Sequence, residues 1–477
     1  MPIREFRTKM EAAGVSEPAI RAFERNYAQL AQQDSGLIPE NSIQPVESLP
    51  TLAGIAAQVA PDPALLGQTA VLKLNGGLGT GMGLERAKSL LPVRDGLTFL
   101  DLIVRQVLHF RKTSGHMRLL TMNSFSTSAD TSAALAKYPE LGRPDEIELL
   151  QNKTPKVDAK TLRPVVWEKD RELEWCPPGH GDLYAVLATG GTLERLLAEG
   201  VRYVFVSNSD NLGATLDLAL LTWFAQSGAP FMMEVTARTA SDRKGGHLAL
   251  RPAQSGQGGD QFLLRESAQC PASDLDAFQD ITRHRFFNTN NLWLRLDRLR
   301  DALAASHGSL PLPLIRNQKT VDPRDKKSPA VWQLETAMGA AIECFADARA
   351  VAVPRRRFAP VKTTGDLLTL RSDAYAILPD GTVALVPELA GIPPHVELDD
   401  HCKLVDQLEA ALAGGVPSLK DCRSLRVQGP VLFTSAAVFQ GDVTIENPTP
   451  TPRPVPPGIH RDTRVVLSGA SAPFKRG

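Results

Sequence analysis

Gly76, Gly77, Gly79, Gly81 and Gly83 fall close together, directly behind a short apolar run. Val71, Leu72 and Leu74 have the length of a buried strand, and the run stops at Asn75. So many glycines cost backbone entropy. They make sense where the chain takes positive φ angles and lets a ligand touch its backbone. Bare N–H groups in such a loop form a concavity for anions. Lys88 adds a full positive charge after the loop. Strand, glycine loop and lysine together point to a phosphate-bearing nucleotide.

The spacing excludes two common glycine loops. A dinucleotide fingerprint, G-x-G-x-x-G, would end on Met82 or Leu84. A P-loop needs Lys and then Ser or Thr after its second glycine, but Met82 and Gly83 follow Gly81. A flexible linker would seldom follow a buried strand or carry Leu and Met. The loop resembles that of the eukaryotic-type UTP–glucose-1-phosphate uridylyltransferases (UDP-glucose pyrophosphorylases). Their pattern is Leu-x-Gly-Gly-Leu-Gly-Thr-x-Met-Gly with a lysine further on. Leu74 to Gly83 and Lys88 match it.

Composition sets outer limits. A chain of 477 residues suggests roughly three domains. Lys plus Arg number 53 and Asp plus Glu 53, so no general attraction to nucleic acid or an anionic membrane is expected. Five cysteines without a Cys-x-x-Cys pair argue against a disulfide framework or a zinc site. Met-Pro-Ile-Arg-Glu-Phe-Arg lacks an apolar signal core, and no apolar run is long enough to span a bilayer. The expected compartment is the cytoplasm.

Residues 1–50 are expected to form a helical N-terminal segment. Phe6, Met10, Val15, Ile20, Phe23 and Tyr27 recur at helical spacing to about residue 34. A polar, proline-bearing connector follows from Ser35 to Pro50. The catalytic domain is placed at 51–375. Thr98 and Asp101 have near capping-box spacing before a helix, and Arg118–Met122 reads as the next strand. Strand, helix and strand suggest a βαβ unit, with ligands beyond the carboxyl ends of the strands.

Further motifs fall at such ends. Gln151 follows the strand-like Ile147–Leu150, where an amide could read a base edge. Pro178-Gly-His-Gly-Asp182 is a rigid, glycine-flanked turn before an expected helix over Leu183–Leu197. Tyr203–Asp210 reads as a strand ending in a carboxylate, and one carboxylate beside phosphates suits Mg²⁺. The plainer reading makes Asp210 a helix cap. Lys244-Gly-Gly-His reads as a turn that faces the sugar, and Gln254–Asp260 as an exposed loop or hairpin. Phe286–Trp293 places Asn288, Asn290 and Asn291 behind two aromatic residues. Amides suit sugar hydroxyls because they donate and accept. Gln333–Ile342 is expected to begin a helix, with Glu335 orienting ligands or capping it. Arg355–Arg357 reads as a solvated face, whereas Lys362 follows Pro360 with its direction fixed. Residues 376–477 turn β-rich from Leu425 to Asn447, and Pro448–Pro457 interrupts the pattern.

The resemblance covers most of residues 51–370. It implies a Rossmann-like, GT-A-like nucleotidyltransferase domain of the α/β class. A mixed, mainly parallel sheet would lie between the helical N-terminal segment and a small C-terminal domain resembling a β-helix. It implies that UTP and glucose 1-phosphate give UDP-glucose and pyrophosphate, reversibly and with Mg²⁺. Carried over residue by residue, Leu74, Asn75, Gly76, Gly77, Lys88, Gln151, Gly179 and Asp210 would bind the nucleotide. His180, Asn208, Ser209, Asp210, Asn290 and Lys362 would bind the sugar phosphate. Lys88 and Lys362 would be catalytic and Asp210 the metal ligand. Ser209 occupies a place usually apolar in the family. The C-terminal part would cap the fold or join copies in a homo-oligomer. Two other readings stay open at this point: a pyrophosphorylase for another sugar 1-phosphate, and a non-catalytic nucleotide-sugar sensor.

Overall fold

The computed structural model describes residues 2–32, 35–253 and 259–467. Contacts divide the chain into two compact units. The first holds residues 1–76, 110–208 and 216–354, and the second 77–109, 209–215 and 355–477. The expected parts 1–50, 51–375 and 376–477 follow sequence character, whereas these units follow contact density.

In the first unit, the helical N-terminal stretch is present as α1 (Pro2–Ala12) and α2 (Glu17–Ala31), and Ser16, with Glu17 and Pro18 behind it, is the N-cap residue where α2 starts. Gly14, at φ +70°, turns the chain between them. The Phe6 and Phe23 rings pack tilted at 47° with centroids 5.0 Å apart, and Tyr27 closes the cluster. The central sheet is built from β1 (Gln44–Pro45), β2 (Thr69–Leu74), β3 (Arg118–Asn123), β4 (Glu148–Leu150), β5 (Tyr203–Asn208), β6 (Phe231–Ala237), β7 (His247–Arg251), β8 (Gln261–Arg265), β9 (Phe286–Arg295) and β10 (Arg349–Ala352). Its order is β1-β7-β9-β5-β2-β3-β4, with β8 on β7 and β6 joining β9 to β10.

Strands β4, β3, β2 and β5 run parallel, and β9 pairs antiparallel with β5. The expected mixed sheet is therefore present, parallel over the strands that carry the glycine loop. Its parallel strands are apolar because both faces are covered; Ala70, Leu72, Leu120, Val204 and Val206 are buried in one core. Strand order reverses between β2 and β5, the place where open sheets of this kind bind ligands. Leu74 stands opposite Asn208 and Met122, so the carboxyl ends lie level.

The connector is tied down at Glu40. Arg265, fully buried, donates to Glu40 at 2.6 Å, and His284 Nε2 lies 2.9 Å from the same carboxylate. Arg283 donates to it at 2.6 Å. Within the expected Gln254–Asp260 loop, residues 254–258 lie outside the described residues.

Three expectations are corrected. The helix over Leu183–Leu197 is two short ones, Leu183–Ala188 and Thr192–Ala198. Gly190 and Gly191, at φ +61° and +73°, take a left-handed conformation that breaks it. The stretch from Gln333 is the end of a strand, Ala330–Glu335, followed by 3₁₀ turns over Met338–Cys344. Glu335 therefore caps no helix. Arg357 is no part of a solvated face: it is buried, and its guanidinium donates to Thr215 O at 2.9 Å.

In the second unit the capping pair is present. Thr98 N donates to Asp101 Oδ2 at 2.8 Å, and Asp101 N to Thr98 Oγ1 at 3.1 Å. Four parallel strands, β11 (His395–Leu398), β12 (Ser418–Gln428), β13 (Ala437–Glu446) and β14 (Gly458–Val466), stack in chain order. Leu425 stands beside Val443, and Val443 beside Thr463. The prolines of 448–457 do not end this ladder, because β14 resumes it beyond them. No helix among the described residues is long and apolar enough to cross a membrane.

Candidate active site

In the first unit, Asn75 turns its side chain inward. Its Nδ2 donates to Asn123 Oδ1 and to Thr131 Oγ1, both at 2.8 Å. Gly76 O accepts from Ser124 Oγ at 2.9 Å. A Cβ on Gly76 would stand 3.1 Å from Gln151 Oε1, so this glycine serves close approach and not positive φ. Gln151 N is held by Asn123 O at 2.8 Å, and Gln151 Nε2 donates to Gly179 O at 3.0 Å.

The turn around His180 is gripped by Thr336 and Met338, which lie within the Gln333–Ile342 stretch that the sequence singled out for Glu335 and not for these two residues. Thr336 N donates to Pro178 O, and Gly181 N to Thr336 O. Gly179 has φ +80°, and a Cβ there would lie 2.5 Å from Thr336 O. On Gly181 it would lie 2.2 Å from Thr336 Oγ1. Both positions need glycine. Met338 N donates to His180 Nδ1 at 2.9 Å, which puts the ring proton of the neutral imidazole on Nε2.

Asp182 closes the turn. It is buried and accepts from Asn152 N at 2.7 Å and Asn152 Nδ2 at 3.1 Å. Burial outweighs these bonds and pushes its carboxyl from 3.8 up to about 6. Below about pH 4 both folded and unfolded forms are protonated, so this group costs the fold nothing. Between pH 4 and 6 the unfolded form releases its proton first, and stability falls as pH rises. The loss reaches about 3 kcal/mol. Asp182→Asn has no such titration. We expect the unfolding free energy of the variant, relative to the parent, to rise by about that amount between pH 4 and 7. Denaturant titrations across pH measure it, and parallel profiles would refute it.

The amide run is largely engaged within the chain. Asn288 Nδ2 donates to Asn290 Oδ1 at 2.9 Å, and Asn291 Nδ2 to Glu234 Oε2 at 3.1 Å. The β6–β9 register shifts at Glu234/Val235. Opposite this bulge Asn290 takes φ +58°. Gly245 and Gly246, in the turn expected to face a sugar, pack closely on Phe287 and Glu266.

The second unit gathers the charges. Lys88 Nζ donates to Asp210 Oδ2 at 2.9 Å and Lys362 Nζ to the same atom at 3.0 Å. Lys88 Nζ also donates to Val361 O. The Asp210 side chain is 13% exposed, and its Oδ1 is buried with no hydrogen-bond partner. Burial works to raise this carboxyl, but Lys362 and Lys88 outweigh it and hold it below the usual carboxylate range. It caps no helix, since Asp217 caps the helix Leu218–Ser227.

Two of the five loop glycines, Gly79 and Gly83, have positive φ. A Cβ on Gly79 would crowd the Lys88 stem at 3.3 Å, so its absence lets Lys88 cross the loop. Gly77 and Gly81 border open space. Lys362 stands before the helix Thr364–Arg371, and its backbone N–H donates to Asp366 Oδ2 at 2.8 Å.

A family model described as UTP--glucose-1-phosphate uridylyltransferase matches residues 20–440. The chain belongs to this family. Among the uridylyltransferases, that of Saccharomyces cerevisiae is 41% identical over 393 residues, 82% of this chain and 76% of the relative. A solved UDP-glucose pyrophosphorylase mutant of Leishmania major, in complex with UDP-glucose, is 46% identical with a TM-score of 0.92. The match covers 98% of this chain and 99% of that one. A Trypanosoma brucei UDP-glucose phosphorylase structure is 48% identical with a TM-score of 0.88, covering 98% and 100%.

Proposed function

We propose that this chain is a UTP–glucose-1-phosphate uridylyltransferase. A phosphate oxygen of glucose 1-phosphate attacks the α-phosphorus of UTP. The bond from that phosphorus to the bridging α–β oxygen breaks, and pyrophosphate leaves. The observation that carries this reading is the family match over residues 20–440. The solved relative bound to UDP-glucose, 46% identical across 98% of the chain, supports it.

Phosphoryl-type transfer asks a protein for positioning and charge neutralisation rather than a nucleophile. Lys88 would hold UTP phosphates, and Lys362 would meet the oxygens of the two reacting phosphates. Leu74, Asn75, Gly76 and Gly77 would shape the loop around the nucleotide. Gln151 has its Nε2 engaged by Gly179 O, so its Oε1 would accept the uracil N3–H. Gly179 would lie against the nucleotide. His180, with its proton on Nε2, would donate to the sugar phosphate. Asn208, Ser209 and Asn290 would meet the sugar phosphate side.

Asp210 fits a divalent cation. Its Oδ1 is buried and unpartnered, and Mg²⁺ takes few carboxylates when phosphates and water complete its octahedron. Bound there, Mg²⁺ would neutralise phosphate charge.

The finer fold reading is also ours. The order reversal at β2/β5 supports a GT-A-like nucleotidyltransferase domain, and the ladder β11 to β14 a β-helix-like C-terminal part. Ile459, 66% exposed on β14, supports a contact between copies there. Five unpaired cysteines support the cytoplasm.

Pyrophosphate release with UTP and a panel of sugar 1-phosphates tests the function. With Asn288 and Asn291 engaged internally and Asn290 Oδ1 taken by Asn288, Asn290 Nδ2 is the amide group left to read the sugar. One unpaired buried amide costs about 1–3 kcal/mol. We expect kcat/KM for glucose 1-phosphate to exceed that for N-acetylglucosamine 1-phosphate by about ten- to a hundredfold. Equal efficiency would overturn the sugar assignment, and no release with any sugar would favour a sensor.

A further inference from the structure

We propose that Asn211 is a positioning residue that sets where Lys362 stands against the Asp210 carboxylate. The inference rests on the proposed function and on contacts within the second unit.

Asn211 follows Asp210 directly and is 2% exposed. Its Nδ2 donates to Arg357 O at 3.2 Å, and its Oδ1 accepts from Ala359 N at 3.0 Å. Its backbone forms an antiparallel bridge with Pro360. Val361 N donates to Asp210 O at 3.1 Å. Residues 357–361 are thus registered on 210–211, and Lys362 is the next residue. Around this seam the fit is tight: a Cβ on Gly213 would lie 2.3 Å from Arg356 O.

The seam matters because Lys362 cannot aim itself. Its side chain is 58% exposed. A free lysine carries about 2 kcal/mol of rotamer entropy. Its direction is set by its backbone, held by Asp366 on one side and by the Asn211 seam on the other. The seam also places Val361 O, which accepts from Lys88. An amide suits this position because it donates and accepts in one planar group. A carboxylate there would face Arg357 O without a proton. Alanine would leave both backbone groups unsatisfied by the side chain.

The test is a double-mutant cycle on kcat with Asn211→Ala, Lys362→Ala and the pair. A misplacement near 1 Å costs about a hundredfold, so Asn211→Ala should lower kcat by about ten- to a hundredfold. The double variant should be no slower than Lys362→Ala alone, within about threefold. Multiplying effects would overturn the proposal, because Asn211 would then act apart from Lys362. Unchanged kcat in Asn211→Ala would overturn it as well. If Asn211→Ala fails to fold, the isosteric Asn211→Asp replaces it in the same cycle with the same criteria. Unchanged kcat in Lys362→Ala would instead remove Lys362 from the proposed function, and the positioning role with it. A slowed Lys362→Ala beside multiplying effects defeats the positioning role alone.

Discussion

Lys362→Ala is expected to turn over on the order of hundreds-fold more slowly than the parent while binding UTP about as tightly, the loss that follows when one preorganised charge contact is removed. Such a contact is worth about 3–4 kcal/mol at the transition state. The ammonium of Lys362 stands 3.0 Å from Asp210 Oδ2. It is more exposed than Lys88, at 58% against 12%, so substrate can reach it. Nothing in the core depends on it. Coupled pyrophosphate release gives kcat, and calorimetry gives UTP affinity. Unchanged turnover would sink the assignment, and lost UTP binding would move Lys362 to ground-state binding.

The second large effect is at Asp210. Asp210→Asn keeps the shape and removes the charge. Lys88 and Lys362 both donate to Oδ2 of this carboxylate. Without it two ammonium groups face each other across a neutral amide. A divalent ion would lose its one carboxylate ligand from the chain. We expect kcat to fall by about a hundredfold or more, and the Mg²⁺ activation curve to shift to higher concentration. Titrating Mg²⁺ against rate for both proteins is the check. Superimposable curves would exclude a metal role for Asp210.

The parts legible in the sequence are those whose signal is local. Val71, Leu72 and Leu74 read as a buried strand because a parallel strand is apolar on both faces. Thr98 and Asp101 announced their helix because a cap is made within three residues. Gln151 and Asp210 were marked by polar residues ending an apolar run, and His180 by the prolines before it and the glycines on both sides. The rest depended on distant partners. Nothing near Arg357 says that Thr215 O awaits its guanidinium. Asn288 and Asn291 looked open to a sugar, yet a bulge opposite Glu234 engages them. Gln333–Ile342 has apolar residues at helical intervals, but the sheet partner Ile315–Thr320 draws Ala330–Glu335 into a strand. Gly190 and Gly191 were visible signals, and their local cost outweighed the helical periodicity around them.

Glu40 sets a limit on how this chain can be shortened. Residues before Thr51 carry none of the candidate site residues and so invite trimming for expression. Yet Arg265 has no exposure at all, and its guanidinium reaches Glu40. A fragment starting after the connector would leave that cation buried without this counter-charge. Asp274 Oδ2, 3.4 Å from the guanidinium, would remain, so the cost is a part of the about 3–5 kcal/mol that breaking a buried pair from one side takes. A typical domain has only about 5–15 kcal/mol to lose. Shorter versions for crystallisation or assay should therefore keep the connector, and fusion partners belong upstream of it.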